Sequence, residues 1–155
     1  MSKPRPAHLD NPAFSRFMKV TSAAHVALYR LSGGRLGRRF PRSGAPVCLL
    51  TTIGRRSGTH RTKPLLYMQD DDRVVIVASV GGHPRHPAWY HNLTANPNVL
   101  VQIGPDRRPM RARTADASER EALWPRLVAM YPDYADYQSW TDREIPVVIC
   151  EPEVR

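Results

Sequence analysis

The residues best suited to binding a charged ligand lie in one stretch, TTIGRRSGTHRTKPLLY, at residues 51–67. It places Arg55, Arg56, Arg61 and Lys63 between two apolar runs, together with two glycines. Glycine allows a ligand to approach the backbone closely, and guanidinium groups bind phosphate or carboxylate oxygens in pairs. The composition favours an anion-binding loop, although a solvated basic turn between two strands would have the same residues.

The spacing of the glycines excludes the phosphate-binding loop of nucleotide hydrolases. That loop has four residues between its glycines, followed by Lys and then Ser or Thr. Here three residues separate Gly54 from Gly58, and Thr59 comes next. If the stretch binds an anion, it does so by another arrangement.

A second stretch, ASVGGHPRHPAWYHNL at residues 78–93, joins an apolar run to a short aromatic segment through Gly81 and Gly82. Such a junction lets a flat ligand lie against the backbone, with N–H groups at the helix start available to donate. The three histidines of the stretch match no zinc-ligand spacing, and no cysteine or carboxylate joins them. We therefore expect no metal site here.

A third stretch, MYPDYADYQSW at residues 130–140, repeats a tyrosine every three residues, at Tyr131, Tyr134 and Tyr137. On a helix these rings would line one face and present hydroxyl groups to a pocket, or form a core face with wet edges. The sequence shows no Ser–His–Asp arrangement, catalytic cysteine context or obvious pair of carboxylates. If the chain is an enzyme, a bound cofactor supplies the chemistry.

The elements that must position these stretches are short strands with helices inserted between them. Apolar runs separated by turn residues predict a mainly β (α+β) fold, a small antiparallel barrel of about six strands, and argue against a Rossmann sheet. The predicted strands are 46–53, 64–69, 73–79, 98–103, 109–115 and 145–151. The predicted inserted helices are 87–96 and 116–131, the latter opening with Asp116 and Glu119 in capping-box spacing and broken or kinked at Pro125.

The N-terminal part of the chain predicts an amphipathic helix over residues 13–32, ended by two glycines. Its polar face carries Arg16, Lys19 and Arg30, so it either packs on the core of the domain or lies on an anionic membrane surface. We accordingly divide the chain into residues 1–40, a tail and helix, and residues 41–155, the barrel. The apolar face of the helix consists of Phe14, Phe17, Met18, Thr21, Ala24, Leu28 and Leu31.

The charge of the 155-residue chain is strongly asymmetric. Its net charge is +9, but residues 1–69 hold 13 Lys and Arg residues against one acid, whereas residues 70–155 hold 10 against 13 acids. A basic half implies an anionic partner: nucleic acid, anionic lipid or a polyanionic small molecule. The N-terminus has no signal-peptide core, no run reaches membrane-spanning length, and Cys48 and Cys150 sit in apolar runs as buried thiols would, which predicts a cytoplasmic protein.

Three ordered motifs together resemble the actinobacterial deazaflavin-dependent nitroreductase family, over about residue 12 to Pro152. They are LLTTIGRRSGTHRTKPLLY, ASVGGHPRHPAWYHNLTANPNVLVQI and LWPRLVAMYPDYADYQSWTDREIPVVICEP. The resemblance implies an FMN-binding-like split β-barrel that binds the deazaflavin coenzyme F-420, whose phosphodiester and polyglutamate tail would account for the basic charge. It implies an oxidoreductase that transfers hydride from reduced F-420 to a quinone or a nitroaromatic compound.

The resemblance also assigns residues to the coenzyme and to the acceptor. Two departures from the family pattern, Val80 in place of a common Lys and Leu66 in place of a pocket tyrosine, put activity on nitro compounds in doubt. An FMN- or haem-binding split barrel and, as another class, a basic nucleic-acid-binding module remain alternatives. The implied coenzyme contacts are Arg55, Arg56 and Ser57 for the anionic arm, Arg61, Thr62, Lys63, Pro64 and Leu65 along a strand, and Val77, Ala78, Ser79, Val80, Ala88, Trp89, Tyr90, His91 and Asn92 around the ring, closed over by Tyr134. The implied acceptor pocket consists of Ser79, Tyr131, Tyr134 and Tyr137.

Overall fold

The computed structural model describes residues 3–41 and 43–153. Within them, seven antiparallel strands form one curled sheet in the order β2-β1-β5-β6-β7-β4-β3, which confirms the predicted fold class. The strands are β1 (Val47–Ile53), β2 (His60–Leu66), β3 (Met68–Asp70), β4 (Arg73–Val77), β5 (Asn98–Ile103), β6 (Asp106–Thr114) and β7 (Val147–Pro152). The helices are a short 3₁₀ turn (Ala7–Asp10), α1 (Pro12–Leu31), α2 (Ala88–Ala95), α3 (Ala117–Met130) and α4 (Asp133–Ser139).

The basic stretch differs from the prediction in where its second strand begins. β2 begins at His60 and pairs with β1 along its whole length, from Ile53 opposite His60 to Val47 opposite Leu66. β2 is an edge strand, where charged side chains are tolerated because one side faces solvent. The predicted run 64–69 is accordingly two strands, β2 and β3, separated at Tyr67.

The alternation of side chains along the strands divides the core into two faces of the sheet. In β4, Val74 and Ile76 point to the interior of the curl, whereas Val75 and Val77 pack under α3 and α4. Cys48 and Cys150 are unpaired, buried thiols, as predicted. Burial raises the pKa of the Cys150 thiol to about 12 and raises that of Cys48 further, so both remain protonated packing residues.

The first helix packs on the domain, but not through the predicted face. Val26 and Tyr29 are the buried residues of α1, and they pack against Val47 and Leu49 of β1. The Tyr29 hydroxyl accepts a hydrogen bond from the Gly104 N–H at 2.8 Å. The predicted apolar face is largely in solvent, since the exposed fractions of its Phe17, Met18, Leu28 and Leu31 side chains are 61%, 46%, 47% and 88%.

Of the two predicted effects of Pro125, a break or a kink in the third helix, the break is wrong, because α3 continues through Pro125. A proline inside a helix removes the hydrogen bond to the carbonyl of the residue four positions earlier. That residue is Glu121, and both Glu121 and Pro125 are exposed. Water can therefore satisfy the carbonyl oxygen that the proline leaves without a partner. The predicted capping box at Asp116 and Glu119 is present.

No helix in the described ranges is long and apolar enough to cross a membrane.

Candidate coenzyme and acceptor site

The turn between β1 and β2 is tightly closed by its own backbone. The Gly54 N–H donates to the Thr59 carbonyl at 2.7 Å, and the Gly58 N–H donates to the Gly54 carbonyl at 2.8 Å. Ser57 Oγ lies 2.5 Å from the position of a β-carbon added at Gly54, so a larger residue there would displace it. This conformation holds Arg55 and Arg56 outward at the tip, where both are exposed.

The basic side chains of the turn and of β2 have no acidic partners among residues 3–41 and 43–153. None of the ion pairs in these ranges includes Arg55, Arg56, Arg61 or Lys63. Arg61 and Lys63 lie opposite Thr52 and Leu50 and therefore share the sheet face that turns toward the interior cluster and α2. The four cations form an uncompensated positive surface along one edge of the sheet, to which we refer as the basic edge.

Asn92 of α2 joins the basic edge to the second predicted stretch. Its Oδ1 accepts from the Arg55 N–H at 3.2 Å, and its Nδ2 donates to Thr52 Oγ1 at 3.1 Å. Asn92 is buried, as is Trp89, which packs in the interior cluster. Of the residues predicted around the ring, these two hold α2 against the sheet, while Ala88, Tyr90 and His91 are exposed or half-buried.

Arg143, which the sequence did not single out, organises the segment from residue 78 to residue 86. Its guanidinium donates to the carbonyl oxygens of Ala78 at 3.2 Å, His83 at 3.1 Å and Arg85 at 3.3 Å, and to His86 Nδ1 at 2.9 Å. Burial lowers the pKa of Arg143, and none of the ion pairs within residues 3–41 and 43–153 includes it. A lone arginine in TDREIP carries no sequence signal for this role.

His86 accepts from Arg143 through Nδ1 and faces α2. Burial, then the charge of Arg143 and then that of His91 lower the His86 pKa below its ordinary value. Its ring centroid lies 4.8 Å from that of Tyr90 and 5.6 Å from that of His91. The segment that follows β4 is thereby tied to the start of α2. No group of three or more His, Cys, Asp or Glu side chains in the described ranges is arranged to hold a metal ion.

The three predicted tyrosines come together, although they do not share one helix. Tyr131 directly follows α3, whereas Tyr134 and Tyr137 lie on α4. The ring centroids of Tyr131 and Tyr134 are 4.9 Å apart, and each lies 6.1 Å from that of Tyr137. We call these three residues the tyrosine cluster.

The hydroxyl groups of the tyrosine cluster are neutral donors. The hydroxyls of Tyr131 and Tyr137 lie 3.2 Å apart, whereas the Tyr134 hydroxyl makes no hydrogen bond to residues 3–41 or 43–153. Burial raises the pKa of all three phenols, so they stay protonated at neutral pH. Such groups can donate to an oxygen atom that gains negative charge.

The Gly81–Gly82 turn, to which Ser79 is hydrogen-bonded, packs against the backbone of Tyr137. Ser79 Oγ accepts from the Gly82 N–H at 3.1 Å. A β-carbon at Gly82 would lie 2.8 Å from the Tyr137 carbonyl oxygen and 3.0 Å from the Trp140 ring, so only glycine permits this approach. Val77 and Ala78 before the turn are buried in the core, and Val80 is exposed.

A curled antiparallel sheet of this strand order, with helices packed on it, defines a protein of the split-barrel class. The chain belongs to the F420H(2)-dependent quinone reductase family, whose sequence model matches residues 21–152. This confirms the predicted kinship with deazaflavin-dependent reductases.

Individual relatives support this family assignment. An F420H(2)-dependent quinone reductase of Mycobacterium tuberculosis is 42% identical over 128 residues, which cover 81% of this chain and 85% of that protein. A solved structure of an F420-H2 dependent reductase (FDR-A) is 47% identical, with a TM-score of 0.64, covering 68% of this chain and 94% of that one. A pyridoxamine 5′-phosphate oxidase-like structure from Listeria innocua, 16% identical with a TM-score of 0.50 and covering 70% and 84%, shares the fold alone.

Proposed function

We propose that this protein transfers a hydride from reduced F-420 to a quinone. Membership of the F420H(2)-dependent quinone reductase family supports the reaction class. The bound coenzyme supplies the hydride donor. The chain's own residues bind the anionic arm, orient the ring against the backbone and donate hydrogen bonds to the acceptor.

The observation that carries the proposal is the absence of acidic partners around the basic edge. Four exposed cations that lie along one strand and its turn repel one another, and in the described ranges no carboxylate offsets that repulsion. A phosphodiester followed by a polyglutamate tail provides several negative charges in a row. Arg55, Arg56, Arg61 and Lys63 therefore fit the coenzyme arm better than a ligand with one phosphate.

The ring would lie where the segment after β4 meets α2, as the family resemblance implies. Arg143 and Asn92 fix these two segments relative to the sheet, which favours a preformed site. The acceptor would lie on the other side of the ring, beside Ser79 and the tyrosine cluster. When a quinone accepts a hydride, one of its oxygens gains negative charge, and a neutral phenol such as Tyr134 stabilises that charge by donating a hydrogen bond.

Titration with F-420 tests the coenzyme assignment. Arg55→Gln and Lys63→Gln should each weaken binding about ten- to hundredfold, because each removes a charge-assisted contact. The control is Arg107→Gln, which removes the same charge from an exposed position on β6, away from the basic edge. When the titration is repeated with F-420 that lacks its polyglutamate tail, the loss of affinity in the two variants should be smaller. Equal affinity of the wild type and both basic-edge variants would overturn the assignment.

We also propose that α1 contacts an anionic membrane surface. Its exposed apolar side chains, among them Phe17, Val20 and Leu31, share the helix with Arg16, Lys19 and Arg30. Exposed apolar residues beside basic ones are typical of helices that lie in the lipid interface. Such contact would bring the acceptor site close to a membrane-dissolved quinone.

A further inference from the structure

A cavity of about 390 Å³ lies where α1 ends, and it shares no lining residue with the basic edge or the tyrosine cluster. Its walls are Leu31 at the end of α1, the loop that follows α1, and the turn between β5 and β6 at Gly104 and Pro105. Its volume lies within the range of small-molecule sites, about 300–1,000 Å³. None of its residues takes part in the proposed binding of F-420 or of the quinone.

Tyr29 holds the two walls of the cavity together. Its main-chain carbonyl accepts from the Gly34 N–H at 2.8 Å, and its hydroxyl accepts from the Gly104 N–H at 2.8 Å. The two glycine backbones approach so closely that a β-carbon added at Gly34 would lie 2.3 Å from Gly104 Cα. Because Tyr29 is itself fully buried, the cavity is a formed feature of the fold, and binding in it requires little ordering of the walls.

Two arginines line the cavity without an acidic partner. Among the residues that the structure describes, no carboxylate lines the cavity, and none of the ion pairs includes Arg35 or Arg38. Asp106, at the start of β6, pairs with Arg108 at 3.9 Å. Guanidinium groups match the oxygen atoms of phosphate, so the chemistry of this lining selects a phosphate-bearing anion.

The end of α1 does not cancel this positive charge. A helix C-terminus carries a partial negative charge of about half an elementary charge, which the two guanidinium groups outweigh. Three of the last carbonyl groups of the helix, those of Leu28, Tyr29 and Arg30, also accept hydrogen bonds from N–H groups of the following loop. The cavity is therefore electrostatically suited to an anion although it adjoins the end of a helix.

Exposed apolar side chains border the cavity. Leu31 lines it and is 88% exposed, and Leu36 of the same loop is 54% exposed. Leu31 also ends a stripe on α1 whose exposed members are spaced by three or four residues: Phe17, Val20, Ala24, Leu28 and Leu31. Free phosphate would leave these side chains in water, whereas a ligand that carries hydrocarbon next to its phosphate would bury them.

We propose that this cavity binds the phosphate group of an anionic phospholipid. The inference rests on the membrane contact proposed for α1 and names the lipid group that the end of the helix recognises. Arg35 and Arg38 bind the phosphate oxygens, while Leu31 and Leu36 lie among the acyl chains. Attraction to the membrane thus has a specific site in addition to the diffuse charge of the helix.

The first test uses dihexanoylphosphatidylglycerol below its micelle concentration, so that no membrane is present. Nuclear magnetic resonance of the isotope-labelled full chain should show saturable shifts in the amide signals of the lining residues Gly33, Gly34 and Gly104. Two further probes separate the parts of this ligand. Dihexanoylglycerol, which lacks the phosphate, should cause no shift at these glycines, and inorganic phosphate should bind about tenfold more weakly because it buries no leucine.

The double variant Arg35→Gln, Arg38→Gln should weaken binding of the short-chain phospholipid about tenfold or more, because it removes both charge-assisted contacts. The matched control is Arg85→Gln, Arg111→Gln, which changes the net charge equally at exposed positions outside the cavity. The control should keep the wild-type affinity. Melting temperature and affinity for F-420 should be the same in both double variants, which separates loss of the site from misfolding.

Flotation with vesicles that contain phosphatidylglycerol tests the cavity at a bilayer. The cavity variant should bind these vesicles about tenfold more weakly than the control variant of equal net charge. A difference of this size between proteins of the same net charge is expected from a local site and not from overall attraction.

The inference would be overturned by any of four results. They are the absence of shifts at the three glycines, shifts that persist in the cavity variant, equal affinity for inorganic phosphate and the phospholipid, and equal binding of the two double variants to vesicles that bind the wild type. A failure of the proposed membrane contact has a different signature: the wild type would bind the short-chain phospholipid in the cavity but would not float with vesicles, which supports the phosphate site and removes the contact of α1. None of these measurements depends on hydride transfer.

Discussion

Arg143 shows how one side chain can organise a loop without an obvious sequence signal. Its guanidinium joins three carbonyl oxygens and His86 Nδ1, all in the segment that follows β4. Arg143→Gln should lower the free energy of unfolding by about 2 kcal/mol, since it leaves several partly buried acceptors without donors. Urea unfolding measures this change.

The same variant should weaken binding of F-420, because the predicted ring contacts Ala78 and Ser79 would lose their anchor. The matched control is Arg85→Gln, whose exposed side chain makes no hydrogen bond within the described ranges. A stable Arg143→Gln protein with unaltered affinity for F-420 would contradict this positioning role.

Tyr134 tests the role assigned to the tyrosine cluster. Tyr134→Phe removes a neutral donor but keeps the ring, so it should reduce kcat for quinone reduction about tenfold or more while leaving affinity for F-420 unchanged. Steady-state kinetics at saturating coenzyme measure this. Tyr29→Phe is the control: it removes a buried hydroxyl that accepts from Gly104, and it should lower stability without changing kcat. Equal kcat values for the wild type and Tyr134→Phe would show that the Tyr134 hydroxyl does not act on the acceptor.

At the scale of elements, the start of α3 contains the capping box that the local sequence predicts. The Asp116 side chain accepts a hydrogen bond from the Glu119 N–H at 2.8 Å, and the Glu119 carboxylate accepts one from the Asp116 N–H at 3.1 Å. Arg113 first, and then the Asp116 N–H, lower the pKa of Glu119 from its ordinary value of 4.5 to about 2. The contribution of Glu119 to stability is therefore complete above about pH 4.5 and is lost as the pH falls toward about 2.

Glu119→Gln should accordingly lower the free energy of unfolding by about 1 kcal/mol at pH 7. The difference from wild type should narrow as the pH falls from about 4.5, where Glu119 of the unfolded chain begins to bind a proton, toward about 2, where Glu119 of the folded protein does so. Denaturant unfolding at several pH values measures it. Glu121→Gln, at an exposed position of the same helix, should have little effect at any pH. A difference that stays constant down to pH 2 would show that the charge of Glu119 is unimportant.

The elements that sequence patterns predicted well are those whose signals are local. Turn residues and apolar runs predicted β5 at its exact bounds and α2 to within one residue at each end. The start of β2 escaped prediction because pairing with β1, not hydrophobicity, extends that strand to His60. The face by which α1 packs also escaped, because periodicity shows that a helix has two faces without showing what covers each of them. Arg143 could not be found because its partners are backbone carbonyls brought together only by the fold.

At the scale of the whole molecule, the positive charge of the N-terminal half is divided between two surfaces. The basic edge lies on β2 and its turn, and a second set of cations lies on α1 beside exposed apolar side chains. We expect the protein to float with anionic phospholipid vesicles but not with zwitterionic ones. Its binding to the anionic vesicles should weaken as the salt concentration rises.

The double variant Val20→Glu, Leu31→Glu should weaken this vesicle binding, because it places charge in the exposed apolar face of α1. The control variant Ala117→Glu, Ser118→Glu changes the net charge equally at exposed positions of α3. Equal flotation of both variants would show that attraction depends on total charge rather than on α1, and absence of flotation in the wild type would contradict membrane contact altogether.

The most direct test of the central claim is anaerobic mixing of the protein with reduced F-420 and a quinone, followed through the absorbance of the reoxidised coenzyme. The account predicts one coenzyme oxidised for each quinone reduced, only when protein is present. It also predicts that Lys63→Gln slows the reaction at low coenzyme concentration and approaches the wild-type rate at saturation. Tight binding of reduced F-420 without reoxidation by any quinone would contradict the account.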